Sequence, residues 1–195
     1  MFKPDWKALE AAMARKGHAF FSKGRLNLNL IGVRHSDYAS NGFDDVICCA
    51  YMDPEGKRIV EHWPATTDPG WHWLRDEFMN SRGCAVLMPG QYRGAFAEGL
   101  HKGKYPCLVQ VKPLKVWRDR NRDCRICEGG TDEGMFGIHI HKAGTASVQV
   151  DRWSAGCQVL AREADFDRMM ELYRKSAELY GPRITYTLLT ERDFG

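Results

Sequence analysis

The stretch DVICCAYMDPEGKRIVEHW, Asp45 to Trp63, decides the class of fold. Two runs rich in β-formers, DVICCAYM (45–52) and KRIVEHW (57–63), flank Pro54-Glu55-Gly56, which has turn chemistry. They read as a hairpin. Upstream, RLNLNLIGVR (25–34) alternates Leu26, Leu28 and Leu30 with Asn27 and Asn29, the period of a half-buried strand. Downstream, CAVLMPGQYRG (84–94) reads as strand, turn, strand, and YPCLVQVKPLKVWRD (105–119) as a strand broken at Pro113. FGIHIHKA (136–143) is a strand with Ile138 and Ile140 on one side and His139 and His141 on the other, and ITYTLL (184–189) is a last strand.

Two helices frame these strands. Residues 4–16 have Pro4 and Asp5 for a first turn, Trp6, Leu9 and Met13 at helical spacing, and Gly17 for a left-handed cap. Residues 162–180 carry the stripe Phe166, Met169, Met170 and Tyr173 and stop at Gly181-Pro182. Residues 64–84 are loop-rich, and 119–134 is a charged loop. The order of elements gives a β-dominated α+β fold with flanking helices. At 195 residues the chain fits one domain, 1–195, with 1–24 as N-terminal helix and connector and 136–160 as the chemically interesting part.

Within 136–160, Cys157 stands in Ser154-Ala155-Gly156-Cys157, sixteen positions after His141 and eighteen after His139. A cysteine nucleophile needs a base or cation nearby, and amide N–H groups to hold an oxyanion. A strand presenting a histidine beside a tight Ser-Ala-Gly-Cys turn supplies both. Gly156 lets the backbone approach a carbonyl, and the N–H groups of Gly156 and Cys157 are the oxyanion candidates. Ser154 either orients the imidazole or holds the turn. The plain alternative is a buried thiol in a strand-to-helix turn.

Ile-His-Lys-Ala followed by Ser-x-Gly-Cys, at this spacing, resembles the YkuD-type L,D-transpeptidase family. The resemblance covers about 25 residues, with TTDPG (66–70) and MPGQY (88–92) as weak echoes of an upstream Thr-Pro-x-Gly region. It implies a β-rich catalytic domain and thioester acyl-enzyme chemistry on peptidoglycan stem peptides, without a cofactor or metal. Amine as acceptor gives a cross-link; water gives carboxypeptidase or endopeptidase action. It implies Cys157 as nucleophile, His141 ahead of His139 as base, and Ser154 and Gly156 as supports. The family's usual His or Lys before Gly-Cys is Ala155 here, and its later Arg or Asn is missing. Gln158, Arg152 and Trp153 are therefore the expected substrate contacts. This variant motif resembles a phage or secreted-effector branch.

A rival reading uses Cys124-x-x-Cys127 with His139 and His141 as four zinc ligands of a binding module. A further rival is a non-catalytic wall-binding or phage structural protein. Papain-like enzymes place cysteine before histidine, the reverse of the order here.

Bulk properties exclude more than they assign. Net charge is +3, which calls for no nucleic-acid partner and is compatible with an anionic wall polymer. No apolar run is long enough to span a membrane. MFKPDWKALEAAMARKG lacks the apolar core of a secretory signal, so a wall substrate would be reached by delivery or lysis. Seven cysteines make no disulfide framework, and Cys48, Cys49, Cys84 and Cys107 read as buried small hydrophobes. Trp63, Trp71, Trp73 and Trp153 are groove or core candidates. GLHKGK (99–104) reads as a turn and leaves open where His101 sits. His35 and Asp37 read as a polar loop.

Overall fold

The structure is a computed structural model that describes residues 2–126 and 129–195. Its first element is the helix α1 (Trp6–Arg15), started by Asp5, whose carboxylate accepts the Ala8 amide at 2.8 Å, and followed by Gly17 at φ +68°. Strands β1 (Asn29–Arg34), β2 (Asp45–Met52) and β3 (Arg58–Thr66) follow, with β2 and β3 paired antiparallel as the hairpin chemistry demands. Next come β4 (Cys84–Leu87), β5 (Gly90–His101), β6 (Tyr105–Gln110), β7 (Leu114–Asp119) and β8 (Gly130–Gly134). The chain ends with β9 (Ile140–Lys142), β10 (Gln158–Leu160), the helix α2 (Glu163–Tyr180) and β11 (Ile184–Thr190). This is a β-dominated α+β architecture. No helix among the described residues is long and apolar enough to cross a membrane.

Eight strands close into a barrel in the order β1-β11-β5-β6-β9-β10-β3-β2, while β4, β7 and β8 form a separate three-stranded sheet. The strand-turn-strand at 84–94 therefore does not pair with itself; its halves belong to different sheets. The break at Pro113 does the same for β6 and β7. Gln110, buried at this crossing, ties the sheets together: its Nε2 donates to Lys112 O and Gly134 O, both at 2.8 Å, and its Oε1 accepts the Phe136 and Gly137 amides at 2.9 and 3.0 Å. One side chain thus sets the path of the chain into β9.

The apolar run in β2 is almost unbroken because both faces are covered. Ile47 and Cys49 join the main core with Phe96, Leu108, Ile140 and the α2 residues Phe166, Met169, Met170 and Tyr173. Val46, Cys48 and Ala50 face the other way, under Leu9, Ala12 and Met13 of α1. Three expectations need correction. The 25–34 strand starts only at Asn29 and is buried on both faces, because α1 covers its outer side. Asn29 is buried because its amide group bonds Phe21 N, Phe21 O and Ala50 O. The 119–134 loop contains β8, a polar strand without alternation that is held by its ladder to β7. The 136–143 strand shortens to Ile140–Lys142.

Candidate active site

Strands β9 and β10 run parallel, with Gln158 opposite Ile140 and Val159 opposite His141. Cys157 and His139 are the residues just before these two strands. The pairing brings the thiol onto the His139 backbone: the His139 amide points at Sγ at 3.4 Å, and Gly137 O lies 3.7 Å from it. Cys157 is partly exposed and lines a cleft of about 170 Å³ that also contains His139, His141, His101 and Lys102. Apolar surface from Trp73, Met79, Phe136 and Trp153 completes it.

The two motif histidines differ in how their rings are held. His141 is buried, and its Nδ1 lies 2.8 Å from Lys142 O, which can only accept. The proton therefore sits on Nδ1, and Nε2, buried and without a partner among the described residues, keeps its lone pair. His139 accepts the Gln110 amide on Nδ1 at 3.3 Å, which leaves its proton on Nε2. Of the two, His141 has the tautomer of a base. Neither ring hydrogen-bonds Sγ among the described residues; catalytic contacts of this kind often tighten only with substrate.

Burial sets the charge state. It lowers His141 to about 3, and pushes the Cys157 thiol up to about 11 against the opposing His139 amide and Lys102 ammonium. Both shifts favour the neutral forms, a thiol and an imidazole. His139 is also lowered by burial.

The turn is braced from behind. Ser154 is buried; its hydroxyl donates to Cys157 O at 2.8 Å and accepts the Gly156 amide at 3.1 Å. Ser154 thus holds the turn and does not touch the imidazole. The same bond corrects the oxyanion expectation: the Gly156 N–H is already engaged. Gly156 has φ +121°, and a Cβ there would lie 2.2 Å from Ala85 O of β4, so only glycine fits between thiol and sheet. Cys84 Sγ lies 3.7 Å from Ala155 O on the same side.

Two expected substrate contacts line the cleft and one does not. Trp153 and Arg152 are exposed on its wall. Gln158 is fully buried, bonded through Oε1 to the Tyr186 hydroxyl at 2.7 Å and through Nε2 to Gly156 O and Thr67 O. It faces inward because strand alternation turns it away from Cys157. TTDPG packs on the turn, with the Gly70 amide on Ser154 O at 2.8 Å. MPGQY lines a separate hollow with Lys112 and Lys115. Trp63 is core, and Trp71 lies outside the cleft under the Arg75 guanidinium.

Trp73, a groove candidate, does line the cleft, whereas Met79, Lys102 and Phe136 were not singled out from the sequence and the position of His101 was left open. His101 ends β5, opposite Tyr105, and stacks on His141 with ring centroids 4.2 Å apart. The Lys102-Gly103 turn was the available signal, but the neighbouring strand was not.

The zinc reading loses its geometry. Cys127 lies outside the described residues. Among the described residues, the only set of three or more ligand atoms within 4.8 Å of one another is His35, Asp37 and Asp44, so Cys124, His139 and His141 do not converge. Cys124 instead lies beside Arg75, 3.7 Å from its guanidinium. His35 and Asp37 form an exposed pair at 3.1 Å, as a polar loop would.

Comparison of the chain with family models, with curated proteins and with solved structures returned no match.

Proposed function

We propose that this chain is a cysteine acyl-transfer enzyme, L,D-transpeptidase-like, acting on peptidoglycan stem peptides. The observation that carries this reading is the cleft in which a partly exposed Cys157 and the lone-pair nitrogen of a fixed His141 stand together. The resemblance of Ile-His-Lys-Ala and Ser-Ala-Gly-Cys to that family names the substrate class.

In this reading His141 Nε2 takes the thiol proton as Sγ attacks the scissile carbonyl carbon. The Cys157 N–H, which has no partner among the described residues, faces the developing oxyanion. The amide C–N bond breaks, the imidazolium gives its proton to the leaving amine, and a thioester remains. Water or an amine then resolves it. Ser154 and Gly156 act by positioning, holding the turn against β4. His139 lines the cleft as a donor.

The test is incubation of the protein and of Cys157→Ala with purified peptidoglycan and its soluble muropeptides, read by mass spectrometry. Products formed by the parent and absent with the variant support the reading, and their masses sort residue loss from opened or new cross-links. Unchanged profiles with both overturn it.

A further inference from the structure

His141 is held by hydrogen bonds at one edge only. Its Nδ1 lies 2.8 Å from Lys142 O and 3.4 Å from the Tyr105 hydroxyl, both contacts falling on the same nitrogen. A catalytic imidazole oriented by a carboxylate gains both a fixed tautomer and a partner for its charge. Here no described carboxylate lines the thiol cleft or the hollow of about 320 Å³ beside it, which His141 also borders. Glu163 of α2 is taken by Lys142. One bonded edge settles the tautomer, but it leaves the ring free to rock and its Nε2 open to water from either face.

A second ring supplies what the missing carboxylate does not. His101 lies on His141 with ring centroids 4.2 Å apart and planes tilted by 35°, and it meets His139 edge-on at 5.9 Å. Among the described residues His141 Nε2 and His101 Nδ1 are both buried without a hydrogen-bond partner, so the contact is ring on ring. The backbone places it. His101 is the last residue of β5, opposite Tyr105 of β6. Lys102 at φ +48° and Gly103 at φ +70° then reverse the chain, and the Lys104 amide donates to His101 O at 2.9 Å. So tight a turn fixes the end of the strand and the ring it carries. Burial lowers both rings, His101 to about 4 and His141 to about 3, and the Lys102 ammonium acts on both in the same direction. The other titratable or charged groups around the pair are His139, Lys104, Tyr105, Arg152 and Cys157, none of them a carboxylate.

We propose that His101 is a positioning residue for His141: its ring covers one face of the imidazole, holds it in one plane and keeps water from Nε2. The role given to His141 as base rests on the acyl-transfer reading above; the ring contact does not. Without the cover, Nε2 loses its fixed direction. It also becomes wet, and a wet imidazole binds a proton more readily because water solvates the imidazolium. A base that already carries a proton cannot take one from the thiol. His101 thus acts through His141 and touches no reacting atom.

Two variants separate cover from charge. His101→Phe keeps a flat ring and removes both nitrogens, whereas His101→Ala removes the ring. The histidine rings of the full chain, isotope-labelled, are titrated by NMR, with His141→Gln identifying the His141 signals. In the parent, a cross-peak between the His101 and His141 ring protons is expected, and His141 stays neutral with its proton on Nδ1 down to about pH 5. His101→Phe is expected to leave the His141 titration unchanged. His101→Ala is expected to raise its midpoint by at least about one pH unit, a tenfold gain in proton affinity. An absent cross-peak in the parent overturns the proposal without any variant having to fold. An unmoved midpoint in His101→Ala, or an equal shift in His101→Phe, also overturns it. Turnover of a soluble muropeptide is the separate readout: kcat should fall at least about tenfold in His101→Ala with KM unchanged, and stay near the parent's in His101→Phe. Parental kcat in His101→Ala overturns the proposal. If the parent turns over no muropeptide, the acyl-transfer reading falls, and the titration still decides what His101 does to His141.

Discussion

The Ser154–Gln158 turn separates two polar regions that treat their hydrogen bonds in opposite ways. Behind it, Gln158, Tyr186, Thr67, Asp45, Asp68 and Arg34 form a buried layer. Asp45 accepts from His35 N, Thr67 N and Thr67 Oγ1, and Arg34 Nε reaches Asp68 at 2.7 Å. Among the described residues, only Arg34 Nη1 lacks a partner there. Burial, with Asp68 beside it, pushes Asp45 up to about 7. In front of the turn, His141 Nε2 and His101 Nδ1 are buried and unmatched among the described residues. A satisfied network fixes a backbone, whereas unmatched nitrogens on a cleft wall remain able to bond a further group. The same turn thus has a closed face and an open face.

The sharpest way to break this contrast is on the front. His141→Gln is predicted to lower kcat by roughly 10²–10⁴-fold, the range for loss of a general base. His139→Gln, whose ring presents a donor, is predicted to lose much less. Steady-state kinetics on a soluble muropeptide decide it, and a larger loss at His139 would reverse the assignment.

At the turn itself, Gly156→Ala is predicted to cost about 2 kcal/mol or more, since its Cβ would meet Ala85 O at 2.2 Å with φ at +121°. Gly137, at φ +71° with open space around it, is the control. Gly137→Ala should cost only about 1 kcal/mol. Denaturant titration measures both, and equal losses would show that contact with β4 does not brace the turn.

Behind the turn, Gln158→Leu is predicted to lose about 1–3 kcal/mol by leaving the Tyr186 hydroxyl without its acceptor. The same titration reads it. A raised KM with stability intact would instead put Gln158 on the substrate.

The smallest expected signal is a flat pH profile. With His141 at about 3 and Cys157 at about 11, one protonation state holds between them. kcat/KM should stay level from about pH 5 to 9. It falls only as acid protonates His141, and rises, not falls, as base ionises the thiol. A limb with a midpoint between about pH 5 and 8 would mean that a thiolate–imidazolium pair operates instead.

Local signals were legible where physics is local. Asp5 and Gly17 bounded α1, Pro54-Glu55-Gly56 made the β2–β3 hairpin, and Gly181-Pro182 ended α2. The placement of Cys157 and His141 in one cleft agrees with their spacing because β9 and β10 pair as near neighbours. Gln158 was misplaced because its face depends on which side of β10 the barrel lies. β8 was missed because Gly-Thr-Asp-Glu-Gly carries no periodicity, only a ladder to β7.

By itself, then, the order of residues determined the strand-rich class, the two helices, and the nearness of Cys157 to the His139–His141 segment that adjacent strands enforce. Tertiary structure alone decided that β4 and β5 part into separate sheets and that His101 stacks on His141. The stack joins residues 40 positions apart, and the β4–β7 ladder joins Cys84 to Asp119, 35 apart. Such contacts depend on how the barrel closes, and no short-range periodicity encodes that closure.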